Sequence, residues 1–183
     1  MAMGKKLNRT FRRFIEAQPL FFVATADRDG RVNVSPKGMD TLRIKGDHRI
    51  HWLNLSGSGN ETAAHVRATG RMTLMFCAFE GNPLILRVYG QARVHHPRDA
   101  DWDALITDFP KLGGSRQVFD LTIDLVQTSC GSGVPIMEFK TSRGEVELEP
   151  YYDELGPDGV KDYWERKNVE TIDGKPTGIF EDP

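Results

Sequence analysis

At 183 residues, 39% hydrophobic and 27% charged, the chain suits one ordinary globular domain with a full-sized core. A formal net charge of −2 argues against a broad nucleic-acid surface, and no apolar run approaches the roughly 18 residues of a membrane span. The basic start, MAMGKKLNRTFRRF, lacks the apolar core of a secretory signal, and Cys77 and Cys130 form no CxxC pair or disulfide framework, so a cytoplasmic protein with reduced thiols is expected.

In chain order, Leu7–Ala17 reads as a short helix, with Leu7, Phe11, Phe14 and Ile15 on one side and Pro19 as its stop. Phe21–Ala26 is a strand, and Asp27-Arg28-Asp29-Gly30 turns it into a second, Arg31–Lys37. There Val32 and Val34 share one face, while Asn33, Ser35 and Lys37 share the other. The pattern predicts a core side and a side that is wet or lines a site. Pro36 has no N–H to give a ladder, which points to a sheet edge or bulge.

Leu42–Ile44 and Arg49–Leu55 form the next hairpin. Ser56–Gly59 then leads into a helix at about Glu61–Ala68, closed by Gly70. Met72–Phe79 and Leu84–Val94 make a long hairpin with clean alternation, and Ala100–Phe109 reads as a helix ended by Pro110. Val118–Thr128 is a last strand, with Phe119, Leu121, Ile123 and Leu125 alternating. Six or seven strands at hairpin spacing with two or three small helices predict a mainly β, α+β antiparallel barrel rather than a βαβ sheet. Residues 1–140 form this domain. Residues 141–183, charged and rich in Gly and Pro, form an extension with a helix at Val160–Lys167, packed on the barrel or a partner.

Three segments carry candidate chemistry. In SGSGNETAAHV, small residues before a helix let backbone approach a ligand, first-turn N–H groups favour an anion, and Ser56, Ser58 and Thr62 add hydroxyls. The same letters, Ser58-Gly59-Asn60-Glu61, taken alone better fit a capping box that needs no ligand, and Glu61 repels a phosphate unless it turns away. The polar row Asn33, Ser35, Lys37 either neutralises an anion or is a solvated edge. Arg87 reads as a cross-strand partner or an additional cation. After the last strand, Ser129-Cys130-Gly131-Ser132-Gly133 offers glycines for close approach to a flat ligand, or simply a turn with a thiol. No histidine lies near Cys130 in sequence to serve as its base, and the five histidines show no metal-binding spacing.

FFVATADRDGRVNVSPKG, IHWLNLSGSGNETAAHVRATGRMTLMF and LILRVYGQARV, taken in order, resemble the pyridoxamine 5′-phosphate oxidase-like flavoproteins, over roughly Leu20–Phe139. VQTSCGSGVPIMEF and YWERKNVETIDGKPTGI resemble an uncharacterised bacterial branch of them. The resemblance implies a split β-barrel, an FMN cofactor at a homodimer interface, and an oxidoreductase acting on an unidentified small molecule. It implies that Lys37 faces the flavin and that Leu55 and Ser56 contact it. Glu61 and Thr62 stand where true oxidases carry an Arg-Lys pair for the phosphate, so phosphate binding falls to backbone N–H groups, Ser58, Thr62 and Lys37, with Arg87 as a further cation. No Arg-x-His pair for pyridoxal phosphate follows Cys130, so pyridoxamine phosphate oxidation itself is not expected. FAD, a deazaflavin, or a non-enzymatic flavin or haem sensor using His51 or His65 are the alternatives.

Overall fold

The computed structural model describes residues 3–181; Met1, Ala2, Asp182 and Pro183, the outermost residues of the two expected segments, lie outside them. The described chain runs β1 (Met3–Gly4), α1 (Arg9–Glu16), β2 (Phe21–Thr25), β3 (Asn33–Lys37), β4 (Leu42–Ile44), β5 (Arg49–Leu55), α2 (Glu61–Thr69), β6 (Arg71–Cys77), β7 (Ile85–His95), α3 (Trp102–Ile106) and β8 (Ser115–Ser129). A π-helical turn, Gly144–Leu148, then leads into α4 (Glu149–Lys167).

The strands form one antiparallel sheet in the order β3-β2-β6-β7-β8-β5-β4, with β1 added to β8. The sheet curls until distant strands touch. Trp52 on β5 meets Phe21 on β2 edge-on, ring centroids 6.4 Å apart, and Lys37 of β3 lies 5.3 Å above the Trp52 ring. The end strands β3 and β4 do not pair with each other, which leaves a half-barrel. Its interior is filled by Val23, Leu74, Phe76, Leu86, Val88, Phe119 and Leu121, and Leu7 and Ile15 of the α1 region join the same core. Asn8 caps α1, its Oδ1 accepting from the Phe11 N–H at 2.8 Å. On the other face of β5 and β8, Leu53 and Val118 pack with Phe109 and the α3 residues Trp102, Leu105 and Ile106.

Four expectations need correction. Neither face of β3 is core: Val32 and Val34 are 70% and 59% exposed, because β3 is an edge strand whose outer side nothing covers. The alternation of β8 slips between Ile123, opposite Gly90, and Leu125, opposite Tyr89. Asp124 is the extra residue, so Val126 rather than Leu125 takes the buried phase. Gly90 makes room for this bulge, since a Cβ there would collide with the Thr122 carbonyl. The helix expected at Ala100–Phe109 shortens to α3. The helix expected at Val160–Lys167 is preceded by helical chain from Glu149; Gly156 (φ 63°) interrupts it, and Pro157 restarts it at a first-turn position where no N–H is needed.

Candidate functional site

A cleft of about 650 Å³ opens between β3, the C-terminal end of β5, the loop that follows and the start of α2. Period-two geometry turns Asn33, Ser35 and Lys37 of β3 towards it, and Leu55, Ser56, Ser58, Asn60, Glu61 and Thr62 line the rest. Asn33 Nδ2 donates to Thr62 Oγ1 at 3.2 Å, tying the edge strand to α2. Ser56 is fixed from two sides: its Oγ donates to the Gly114 carbonyl at 2.7 Å and accepts from Trp164 Nε1 at 2.6 Å. Arg87, Ser129 and Cys130 do not line this cleft. Arg87 Nη1 donates to Ser129 Oγ at 2.7 Å, and Cys130 is an exposed free thiol, held below its ordinary pKa by the hydroxyl and N–H of Ser132.

The capping box does not form. Asn60 is the N-cap of α2, yet its side chain makes no cap bond. Its Nδ2 donates instead to the Asn168 carbonyl at 3.3 Å, while its Oδ1 is buried without a partner among the described residues. Glu61 does not reach back to the N-cap either, since its Oε1 accepts from the Ile172 N–H at 3.3 Å. The first-turn N–H groups of α2 are therefore left without side-chain caps at the cleft wall.

Two cations share the space. Burial, helped by the nearby Arg116 charge and opposed by Glu61, lowers Lys37 to about 8. Arg116, at the start of β8, is 2% exposed; burial pushes it down to about 10, with Tyr152, Tyr163 and Glu61 resisting. Its Nη1 donates to Asn168 Oδ1 at 2.6 Å and to the Gly59 carbonyl at 3.1 Å. With the Asn54 amide turned to place its oxygen towards Arg116, Nη2 donates to that oxygen at 2.9 Å. Nε of Arg116 has no partner among the described residues.

Sequence reasoning missed Asn54, Arg116, Glu170, Thr171 and Ile172, all of which line the cleft. The available signal for Arg116 was a charge at the head of a long apolar strand, two residues after Gly114. The C-terminal segment had no such mark. It is tied on by Lys175 to Asp27 and Asp29, by Asp173 to Arg31, and by Arg98, whose guanidinium donates to the carbonyls of Gly178 and Ile179.

These features define a curled antiparallel half-barrel with a polar, cation-bearing cleft beside an uncapped helix. The profile of the pyridoxamine 5′-phosphate oxidase family matches residues 7–130. The pyridoxamine 5′-phosphate oxidase family protein ustO of Aspergillus flavus is 34% identical over 153 residues, 81% of this chain and 61% of that protein. The chain thus spans about three fifths of the length of that relative. The chain belongs to the pyridoxamine 5′-phosphate oxidase family. Among solved structures, HupZ of Group A Streptococcus superposes with a TM-score of 0.55 at 20% identity, covering 69% of this chain and 99% of that one. A candidate pyridoxamine 5′-phosphate oxidase from Lactobacillus delbrueckii gives 0.52 at 23%, covering 68% and 95%. At these identities the structures show the fold alone.

Proposed function

We propose that the chain is an FMN-dependent oxidoreductase that holds the cofactor's phosphate in this cleft and acts on a small molecule as a homodimer. The observation that carries the reading is the uncapped start of α2 facing Lys37 and Arg116. Forgoing a cap costs about 1 kcal/mol, and burying two cations costs more, so the arrangement is poor for stability alone. It is well matched to a phosphate, which takes N–H donors and cations together. Arg116 and Lys37 supply two cations where the family's Arg-Lys pair is replaced by Glu61 and Thr62. The cleft volume lies within the range of small-molecule sites.

Bound FMN would supply the electron transfer, which is why no acid–base dyad is required of the protein. The chain's own part is to fix the phosphate through the first turn of α2, Thr62 and Lys37, and to present Leu55 and the β3 row towards the rest of the cofactor. None of the five histidines lines the cleft, which favours flavin over haem. The uncovered Val32 and Val34 beside the cleft support a second copy of the chain as the partner. No helix among the described residues is long and apolar enough to cross a membrane. Purified protein is expected to be yellow, to bind one FMN per chain, and to show twice the 20.6 kDa chain mass by native mass spectrometry. A colourless protein that leaves added FMN fluorescence unchanged would refute the cofactor assignment.

A further inference from the structure

Asn168 lies outside the segment that matches the family, at the C-cap of α4, and is fully buried. Its Nδ2 donates to the Gly57 carbonyl at 2.8 Å, and its Oδ1 accepts from Arg116 Nη1 at 2.6 Å. Its own carbonyl accepts from Asn60 Nδ2 at 3.3 Å and from Thr177 Oγ1 at 2.5 Å. One residue therefore grips the glycine-rich loop, the buried guanidinium and the N-cap side chain of α2. Each grip has a consequence for an anion in the cleft. Drawing the Asn60 amide towards Asn168 keeps its side chain from capping α2, which leaves the Glu61 and Thr62 N–H groups without a side-chain cap, while the Ala63 N–H bonds the Asn60 carbonyl at 3.2 Å. Holding Arg116 by one end fixes a cation that burial would otherwise make costly, with Nε still unpartnered among the described residues. Anchoring the Gly57 carbonyl sets the path of the loop over the cleft.

We infer that Asn168 is the positioning residue of the phosphate pocket: the C-terminal extension uses its side chain to hold Arg116 and the Gly57 loop, and its carbonyl to hold Asn60, around a phosphate monoester. This rests on the FMN reading above. Asn168 does not touch the cofactor; its side chain acts through Arg116 and Gly57, while its carbonyl, which every Asn168 variant keeps, holds Asn60. A purely structural role for so buried a residue would weaken all ligands together, whereas a positioning role acts on the phosphate.

The test titrates the full chain, freed of bound ligand by dialysis, with FMN and with riboflavin, which lacks the phosphate. The native chain is expected to prefer FMN by about a hundredfold. In Asn168→Ala that preference should fall by about tenfold or more, with riboflavin affinity changed less than about twofold. Asn168→Asp keeps the volume and can still accept from Arg116, but cannot donate to Gly57 and sets a negative charge beside the pocket. It should lose a similar share of the preference, and it carries the test if the alanine variant does not fold. An unchanged ratio in a folded variant, or equal weakening of both ligands, overturns the positioning role while leaving the cofactor assignment standing. A native chain without any preference for FMN overturns the phosphate reading and this inference with it.

Discussion

Replacing Lys37 with methionine is expected to weaken FMN binding by about 10- to 100-fold while leaving the ligand-free protein as stable as before or more so. Both effects follow from the same displacement. Lys37 is held near 8 chiefly by burial, with Arg116 adding to the effect and Glu61 opposing it. A shift of that size corresponds to up to about 3 kcal/mol of unfavourable burial of the ammonium at neutral pH. The sign of the pH dependence follows. Below about 8 both folded and unfolded chains hold the proton, and the cost is fully present. Between about 8 and the ordinary lysine value, only the unfolded chain holds it, so this group makes the ligand-free fold more stable as pH rises through that window. FMN affinity moves the opposite way. The phosphate is largely doubly charged above neutrality, so affinity falls as Lys37 loses its proton beyond about 8. Isothermal titration between pH 7 and 9, below the range in which Arg116 titrates, should show that decline in the native chain and a flat profile in Lys37→Met. Equal FMN affinity in the two proteins would remove Lys37 from the site.

Trp52→Ala is expected to be the most damaging single truncation for the fold, costing about 3–5 kcal/mol and lowering Tm by roughly 10 °C or more. Trp52 is 2% exposed, stacks on Phe119 at 4.9 Å between centroids, and meets Phe21 edge-on. Phe119 lies on the neighbouring strand β8, but Phe21 lies on β2, which the sheet order sets far from β5, so the Trp52–Phe21 contact holds the curl of the half-barrel. The indole also underlies the Lys37 ammonium, and its loss should weaken FMN binding along with stability. Val146→Ala, at an exposed position, serves as the control and should change Tm little. A Trp52→Ala protein that melts with the control would show that the curl is held elsewhere.

The strands were legible because each is bounded by turn residues and alternates with period two, as in Met72–Phe76, where Met72, Leu74 and Phe76 are buried. The loop and β3 side of the cleft were legible because they are local, a glycine-rich turn and a row of polar residues on one strand. What stayed hidden depends on distant contacts. The letters around Asn60 spell a capping box, and only a carbonyl 108 residues away turns that side chain elsewhere. Arg116 sits where β8 is buried on both faces, Arg116 through Leu121, so alternation there gave no hint of which residue faces a site. The bulge at Asp124 had its only mark on the neighbouring strand, in Gly90. Val32 and Val34 looked like core because an edge strand carries the same pattern as a covered one.

The most direct test of the phosphate cleft is a crystal structure of the full chain grown with FMN. The account predicts the phosphate oxygens within hydrogen-bonding reach of the Glu61 and Thr62 N–H groups and of the Thr62 hydroxyl, with Lys37 beside them. FMN lying outside the cleft between β3 and α2, or its phosphate turned towards Arg87 and Cys130, would contradict it.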